Sequence, residues 1–241
     1  MKKVAVAGAS GATGKLLVAA LLKRNVEVVA IVRAASSLQD TFGDDTNYRE
    51  VNGSISEMSD ADIGTVLDGC DVVLSCLGHN LTFGGIYGQP RRLVTDAVKK
   101  ICRVIESSGT ERKIRVILMN TTGNANRDIP ERPPLSQRIV VAILRVLLPP
   151  HVDNEQAADY LRTQIGQSHR CIEWAAVRPD GLIDQDAESD VEIHPSPIRN
   201  AIFDAGQTSR INVAGFMATL ATDDDVWDSW KGKMPVIYNT A

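Results

Sequence analysis

The sequence predicts a doubly wound α/β fold, in which helices cover both faces of a parallel sheet. Three observations support this prediction: short apolar runs recur along the chain, helical patterns separate them, and a glycine-rich turn joins the first run to the first helix. The first run, residues 4–7, reads VAVA, which is typical of a strand buried on both faces. Leucines at helical spacing follow through residue 22. The chain therefore opens with a strand, a turn and a helix.

Composition and charge are those of one ordinary globular domain, residues 1–241. Of these residues 44% are hydrophobic and 23% are charged. The net charge of −4 argues against a nucleic-acid-binding surface. Four cysteines and four histidines are scattered without paired metal-ligand spacing, so we expect no metal and reduced, cytoplasmic thiols. No targeting segment is visible, because the N-terminus runs directly into a core strand.

The glycine turn has the spacing of a dinucleotide-binding site, with glycines at positions 8, 11 and 14. The first allows a tight turn, the second lets the backbone approach a pyrophosphate, and the third lets the helix pack closely on the strand. Free N–H groups and the positive end of the helix dipole favour an anion at this point. The turn therefore predicts a Rossmann-type domain. The residues predicted to bind the cofactor here are Gly8, Ser10, Gly11, Ala12, Thr13 and Gly14.

The second apolar run, residues 27–32, ends at Arg33. Dinucleotide folds that prefer NAD usually carry Asp or Glu about 20 residues after the glycines, where it holds the ribose 2′-OH. An arginine can instead pair with a 2′-phosphate through two N–H bonds. Ser36 adds a hydroxyl close by. We therefore predict NADP(H) rather than NAD(H) as the cofactor, with a solvated arginine at a strand end as the alternative.

Later strands are expected to bring their following loops to the same edge of the sheet, where the ligand crevice of such folds lies. The predicted strands span residues 48–51, 71–75, 115–119 and 173–178. After the third strand of the sheet, Ser54 and Ile55 are expected near the adenine. After the fourth, Cys76, Leu77 and Gly78 are expected near the ribose. Two threonines follow the fifth strand, and their hydroxyls are expected at the same edge.

Taken together, these segments resemble the extended or atypical short-chain dehydrogenase/reductases. The matching pieces cover the first three-quarters of the chain and read GASGATG, the strand ending in arginine, SCLG, NTTG and VRPDGL. Within that superfamily the chain is most similar to the group that includes biliverdin reductase B, a flavin reductase, and the nitrogen-regulator-like NADP-binding proteins. The resemblance implies that Pro179, Gly181 and Leu182 meet the nicotinamide carboxamide, to which the sheet edge is expected to offer unpaired N–H and C=O groups. It also implies that Thr122, or Thr121 in the other register, occupies the place of the active-site serine.

The chain departs from this family at the catalytic pair. Most relatives carry Tyr-x-x-x-Lys one helix after the fifth strand, and here that place holds His151 and Glu155. A glutamate cannot supply the positive charge that lowers the pKa of a tyrosine. Ordinary alcohol–ketone oxidoreduction is therefore not expected. His151 and Thr122 remain candidate catalytic residues, with helix capping or packing as the alternative for each.

An insertion is predicted at residues 124–150, before a helix predicted at residues 154–164. Residues 135–148 form an almost wholly apolar helix that is too short to span a bilayer. We favour packing as the wall of an apolar substrate pocket over a subunit contact, and a membrane surface is the third alternative. A small C-terminal lobe, residues 183–212, is expected to shape the substrate pocket, with the acidic segment 185–197 as a mobile lip. The last strand, residues 235–239, is expected at the sheet edge.

The function predicted from these features is an NADP(H)-dependent reductase without the Tyr–Lys pair. Its small-molecule substrate would be a flat conjugated acceptor, such as a flavin or quinone, that needs little acid assistance. A non-catalytic NADP(H) sensor is the main alternative, and an isomerase or epimerase that recycles its hydride is a weaker one. We expect neither a nucleic-acid nor a membrane partner. A homodimer is compatible with the sequence, which does not establish it.

Overall fold

A computed structural model describes residues 1–79, 82–131 and 133–240, so that Arg132 of the predicted insertion and Ala241 lie outside the described residues. The strands are β1 Lys3–Ala7, β2 Glu27–Val32, β3 Tyr48–Asn52, β4 Val72–Ser75, β5 Ile114–Met119, β6 Ile172–Pro179, β7 Gly181–Ile183, β8 Val191–His194, β9 Gln207–Ser209 and β10 Val236–Asn239. The helices are α1 Ala12–Leu22, α2 Gln39–Phe42, α3 Asp60–Leu67, α4 Phe83–Tyr87, α5 Leu93–Ser107, α6 Leu135–Leu147, α7 Pro149–Tyr160, α8 Arg210–Thr222 and α9 Asp224–Trp230.

The main sheet has eight strands in the order β3-β2-β1-β4-β5-β6-β10-β8. Its strands pair in parallel from β3 to β10, and only β8 runs antiparallel to its neighbour. The strand order reverses between β1 and β4, and dinucleotides bind in doubly wound folds at this kind of switch point. The predicted Rossmann-type architecture is therefore confirmed.

Helices cover both faces of this sheet, and each face has its own hydrophobic core. One core contains Leu17 of α1, Met217 of α8 and Trp227 of α9. The other contains Ile63 of α3 and Ile101 of α5, with the alanines of α7 beside them. Because the central strands are buried on both sides, their sequences are continuous apolar runs rather than alternating ones.

The C-terminal edge of the sheet differs from the prediction. The segment expected to be a mobile lip contains β8, whose Ile193 pairs with Ile237 of β10. The final strand therefore lies inside the sheet, and β8 forms the edge. The β8 sequence VEIH alternates apolar and polar residues within an acidic segment, and this short alternation was too weak a signal against the surrounding turn residues.

Helix α6 is apolar, as expected, but several of its large apolar residues face outward. Leu135, Ile139, Ile143 and Val146 are 51–81% exposed, whereas Gln137 and Val141 face the protein. The favoured prediction of a pocket wall therefore does not account for this face of the helix. In the described part of the chain, no single helix is long and apolar enough to cross a membrane. The ranges Leu135–Leu147 and Pro149–Ile165 reach that length and composition only as a pair bent by 105°.

Candidate functional site

Two positions of the turn between β1 and α1 require glycine. Gly8 adopts a φ of +76°, and a Cβ atom there would lie 2.9 Å from the carbonyl oxygen of Cys76. A Cβ atom on Gly14 would lie 2.1 Å from the carbonyl oxygen of Gly8. The first glycine therefore allows β1 and the loop after β4 to approach each other. The third allows α1 to pack against the turn.

Helix α1 begins without a side-chain cap. Its N-cap residue is Gly11, and no acidic side chain lies in the first turn. The N–H groups of an uncapped first turn lack intrahelical partners and favour an anion. Ser10 and Gly11 line the crevice in front of this helix end, while Ala12, Thr13 and Gly14 form the turn behind it.

A crevice of about 320 Å³ opens at the carboxyl ends of the central strands. It contains nine of the residues predicted to bind the cofactor, from four separate loops. These are Gly8, Ser10, Gly11, Arg33, Ser54, Ile55, Cys76, Leu77 and Gly78. The segment around α4 closes one side of the crevice through Gly85, Gln89 and Pro90. These four loops thus meet at one place, where an extended ligand can contact all of them. Thr121, Pro179, Gly181 and Leu182, which are also predicted to bind the cofactor, are not among the described residues that line this crevice.

Arg33 lines this crevice with an exposed side chain and has no ion pair or side-chain hydrogen bond among the described residues. The segment after it is held firmly, because the Glu50 carboxylate accepts hydrogen bonds from the Ser37 hydroxyl and the Leu38 N–H. Burial tends to raise the pKa of Glu50, but these hydrogen bonds lower it overall. Ser36 donates its N–H to the carbonyl of Arg33 at 2.7 Å. The guanidinium is thus a free cation on a fixed backbone.

His79, in the loop after β4, is held between two acceptors. Its Nε2 lies 2.8 Å from the carboxylate of Asp153, and its Nδ1 lies 3.2 Å from the carbonyl of Gly85. Asp153 is buried and also accepts the N–H groups of Val94 and Thr95 at the start of α5. The ring therefore ties the crevice loop to α4, α5 and α7, which is a positioning role.

The two threonines after β5 face different surroundings. Thr122 is buried, donates its hydroxyl to Asp180 at 3.0 Å and donates its N–H to the carbonyl of Pro179. Thr121 is the more exposed of the two, and its hydroxyl accepts the N–H of Gly123. The geometry therefore places Thr121 on the open side and Thr122 in a link to β6. Which of the two meets the nicotinamide stays a prediction.

Arg178 of the RPDG segment is fully buried, and its guanidinium hydrogen-bonds to groups of the protein itself. It forms two hydrogen bonds with the buried carboxylate of Glu131. Its remaining N–H groups donate to the carbonyl oxygens of Asn124, Met234 and Pro195. This arginine therefore fastens the insertion, the last strands and the lobe to β6, and it is not available to a ligand.

The backbone after Arg178 is less open than expected. The carbonyl of Pro179 accepts the N–H of Thr122, and the N–H of Gly181 donates to the carbonyl of Gly206. Leu182 lies opposite Thr208 in the small β7–β9 sheet. The expectation of unpaired backbone groups here is therefore wrong at Pro179 and Gly181. Their contact with a nicotinamide carboxamide stays a prediction.

His151 lies beside the open threonine because α7 begins earlier than predicted. The expected helix started at residue 154, whereas α7 begins at Pro149, with proline at a first-turn position that needs no N–H partner. The His151 ring is therefore in the first turn. It packs over Gly123, where an added Cβ atom would lie 3.3 Å from Cε1 of His151 and 3.7 Å from the Thr121 hydroxyl.

Glu155, one turn further along α7, forms the centre of a charged group. Arg145 of α6 donates two hydrogen bonds of 2.8 Å to its carboxylate, and Nε2 of His151 lies 3.4 Å from its Oε1 atom. Burial alone would raise the pKa of Glu155. The nearby His151 ring and the hydrogen bonds from Arg145 outweigh burial and bring this pKa to about 2. The carboxyl group is therefore ionised at neutral pH.

Sequence reasoning missed three groups that build the site: Asp153, the Glu131–Arg178 pair and the Arg145–Glu155 pair. Each joins residues that are far apart in the chain or on different helices, so no local spacing indicates them. The glycine-rich stretch 83–90 predicts a loop near the pocket; it does border the crevice, but Phe83–Tyr87 form helix α4 rather than a loop. In the described ranges, no three His, Cys, Asp or Glu side chains are placed to hold a metal ion, and the expected absence of a metal stays a prediction.

Comparison with known families gives an extended match. The sequence pattern of the family described as NAD(P)H-binding matches residues 8–224, which is most of the chain. This range begins at the first glycine of the turn and ends in α9. A comparison with curated protein sequences found no match.

Solved structures of similar fold come from several bacteria. A short-chain dehydrogenase/reductase from Veillonella parvula DSM 2008 in complex with NADP has a TM-score of 0.69 and 15% identity, over 100% of this chain and 95% of that one. The anaerobilin reductase ChuY from Escherichia coli O157:H7 has a TM-score of 0.68 and 16% identity, over 99% and 97%. A protein from Bacillus halodurans, provisionally named an NAD-dependent epimerase/dehydratase, has a TM-score of 0.70 and 19% identity, over 100% and 95%. At these identities the likeness shows the fold alone.

Proposed function

Because the chain belongs to the NAD(P)H-binding family, we propose that it is an NADP(H)-dependent reductase acting on a flat, conjugated acceptor. The observation that carries this proposal is the position of Arg33. It is the only Lys or Arg side chain among the described residues that line the crevice, and it has no partner there. A guanidinium at the end of β2 suits a 2′-phosphate, because it can donate two parallel N–H bonds to it.

The described residues fit a dinucleotide. The turn at Gly8 leaves no room for a side chain, and the uncapped N-terminus of α1 faces the same space. We assign the pyrophosphate to this turn, the 2′-phosphate to Arg33 and the adenine to the loop of Ser54 and Ile55. When bound, the reduced nicotinamide supplies a hydride. The chain's own residues hold and orient the two reactants and exclude water between them.

The acceptor class follows from the catalytic pair that the chain lacks. The tyrosines nearest to the family's pattern, Tyr160 and Tyr87, have Gln164 and Arg91 four residues on, so neither forms a Tyr-x-x-x-Lys pair. An acceptor that takes hydride on a conjugated ring needs less proton transfer in the same step than a simple ketone does. A quinone or an oxidised flavin meets this requirement.

The test is a measurement of NADPH oxidation with an oxidised flavin and a p-quinone as acceptors, with NADH in parallel. The proposal expects steady turnover of at least one acceptor and a preference for NADPH. A simple aliphatic ketone serves as the control and should be reduced slowly or not at all. Tight NADPH binding without turnover of any acceptor would contradict the reductase.

A second candidate is a non-catalytic NADP(H) sensor that passes its bound state to a partner. The outward apolar face of α6 favours it, because contiguous exposed apolar surface marks interaction sites. The same acceptor panel separates the two functions. A sensor binds NADPH, turns nothing over, and changes its association with a partner when the cofactor is added.

A further inference from the structure

Three side chains take the place of the missing Tyr–Lys pair. His151 and Glu155 lie one turn apart on α7, and Arg145 reaches them from α6. We infer that they form an acid–base site, in which His151 exchanges a proton with the bound acceptor while Glu155 and Arg145 position its ring. This inference rests on the proposed reductase function.

The carboxylate is fixed before any ligand binds. Arg145 contacts both of its oxygen atoms, and the Glu155 side chain is only 8% exposed. A two-point contact between a guanidinium and a carboxylate sets the orientation of the carboxylate as well as its charge. Glu155 therefore presents an ionised oxygen to Nε2 of His151 in a fixed direction.

The two ring nitrogens of His151 have different surroundings. Nε2 is buried, lies 3.4 Å from Glu155, and has no aligned hydrogen bond among the described residues. The edge with Cε1 and Nδ1 faces Gly123, next to the Thr121 hydroxyl. A carboxylate accepts hydrogen bonds and cannot donate them, so a proton on Nε2 suits Glu155. Nδ1 is then the nitrogen left to exchange a proton at the carboxyl end of β5.

The first turns of α7 are anchored from two sides, so the ring is held in place. Asp153 accepts N–H bonds from α5 and contacts His79, while Asn120 donates its amide to the carbonyl of Asn154. A catalytic side chain is effective only if such supporting contacts hold it near the productive geometry. One of these anchors, His79, also lines the crevice of the proposed cofactor site.

The proposed proton transfer runs from His151 to an oxygen atom of the acceptor. As hydride reaches the conjugated ring of the acceptor, an electron pair moves onto an acceptor oxygen. The Nδ1–H bond of a protonated His151 breaks and an O–H bond forms on that oxygen. The ring then retains its Nε2 proton toward Glu155 and regains the Nδ1 proton from solvent. General acid catalysis of this kind contributes about 10²–10⁴-fold.

The first experiment needs no cofactor and no turnover. Nitrogen-15 NMR of the wild type over a range of pH is expected to show that the neutral form of the His151 ring carries its proton on Nε2. In Glu155→Leu this preference should be lost, because the accepting carboxylate is gone and the half-exposed Arg145 can be solvated. A proton on Nδ1 in the wild type, or an unchanged tautomer in a folded Glu155→Leu, would overturn the inference.

The second experiment compares two acceptors with NADPH. A p-quinone needs a proton on its oxygen, whereas N-methylacridinium becomes neutral when it takes hydride and needs none. His151→Gln is expected to slow quinone reduction about 10²-fold or more and acridinium reduction less than about threefold. Glu155→Leu should show the same selectivity with a smaller loss. Equal losses for both acceptors would overturn the inference, whereas a wild type that reduces neither would overturn the reductase itself.

Discussion

At the scale of single residues, the site contains polar side chains that are fully hydrogen-bonded within the protein and polar side chains that lack such partners among the described residues. Arg178 and Asp153 are buried and make three or more polar contacts each within the protein. Arg33 has no such contact among the described residues, and Nε2 of His151 has no aligned one. Buried polar groups are normally satisfied, so the unpartnered Nε2 of His151 is an exception that calls for an explanation. The guanidinium of Arg33 is exposed and is therefore free to contact a ligand in the crevice.

Glu155 should make stability depend on pH in the acid range. Its pKa is about 2 in the folded protein, against an ordinary value of 4.5. A carboxyl group with a lowered folded pKa stabilises the protein above pH 4.5, and this contribution is lost as the pH falls toward 2. The contribution is at most about 3 kcal/mol. Urea denaturation of the wild type and Glu155→Gln between pH 7 and pH 3 measures it.

The wild type is expected to lose more stability than the variant over that range, because only the wild type must protonate this carboxylate. Asp60→Asn is the matched control, since Asp60 pairs with Arg103 on the exposed surface. Its acid dependence should equal that of the wild type within about 0.5 kcal/mol. Equal acid dependence in the wild type and Glu155→Gln would show that the pair with Arg145 does not hold the carboxylate ionised.

Single residues also show what the sequence can and cannot predict. Arg33 and the three glycines were recognisable because their roles depend on local spacing after a strand. The choice between Thr121 and Thr122 was not, because it depends on which side of the chain Asp180 approaches, from a strand far along the sequence. Arg145 and Glu155 are ten residues apart on two helices, and their contact follows only from the angle between those helices.

At the scale of elements, α6 shows that an apolar sequence does not reveal which face is buried. Its core-facing residues include the polar Gln137, whereas the apolar Ile139 and Ile143 face outward. From apolar periodicity alone, Ile139 and Ile143 would be expected to face the core. Strand β8 is the opposite case, because four residues of an acidic segment gain their strand structure by pairing with β10. Long central strands were predictable, since burial on both faces dictates their composition.

Two valines on α6 test this orientation. Val141 is 9% exposed and Val146 is 81% exposed, and alanine has the higher helix propensity at either position. Val141→Ala should lower the free energy of unfolding by about 1–2 kcal/mol, because buried methyl groups are removed. Val146→Ala should change it by less than about 0.5 kcal/mol. Chemical denaturation of both variants measures these changes. A larger loss of unfolding free energy in Val146→Ala than in Val141→Ala would show that the outward face is buried.

At the scale of the whole molecule, the buried Arg178–Glu131 pair joins the insertion and the C-terminal lobe to the sheet, although the three are separate in the sequence. Arg178 lies on β6 and Glu131 on the insertion. Arg178 also donates to the carbonyl oxygens of Met234, just before β10, and Pro195, just after β8. Removal of one partner of a buried pair leaves an unpaired charge and costs about 3–5 kcal/mol. Arg178→Met should therefore destabilise the protein by that amount in chemical denaturation.

Arg199→Met is the control, because the Arg199–Asp204 pair lies in the same lobe and is exposed. This variant should cost at most about 1 kcal/mol. If the two variants cost the same, the buried pair does not hold the insertion and the lobe to the sheet. The loss in Arg178→Met is expected without a change in cofactor contacts, since Arg178 lies outside the crevice.

The central claim is that a phosphorylated dinucleotide lies in the crevice with its 2′-phosphate on Arg33. Titration calorimetry of NADPH and NADH into the wild type, Arg33→Ala and Arg49→Ala tests it most directly; Arg49 is an exposed arginine outside the crevice. The account predicts that Arg33→Ala weakens NADPH binding about 10–100-fold and NADH binding less than about threefold, with no effect of Arg49→Ala. Equal losses for both coenzymes in Arg33→Ala, or no binding of either by the wild type, would contradict it.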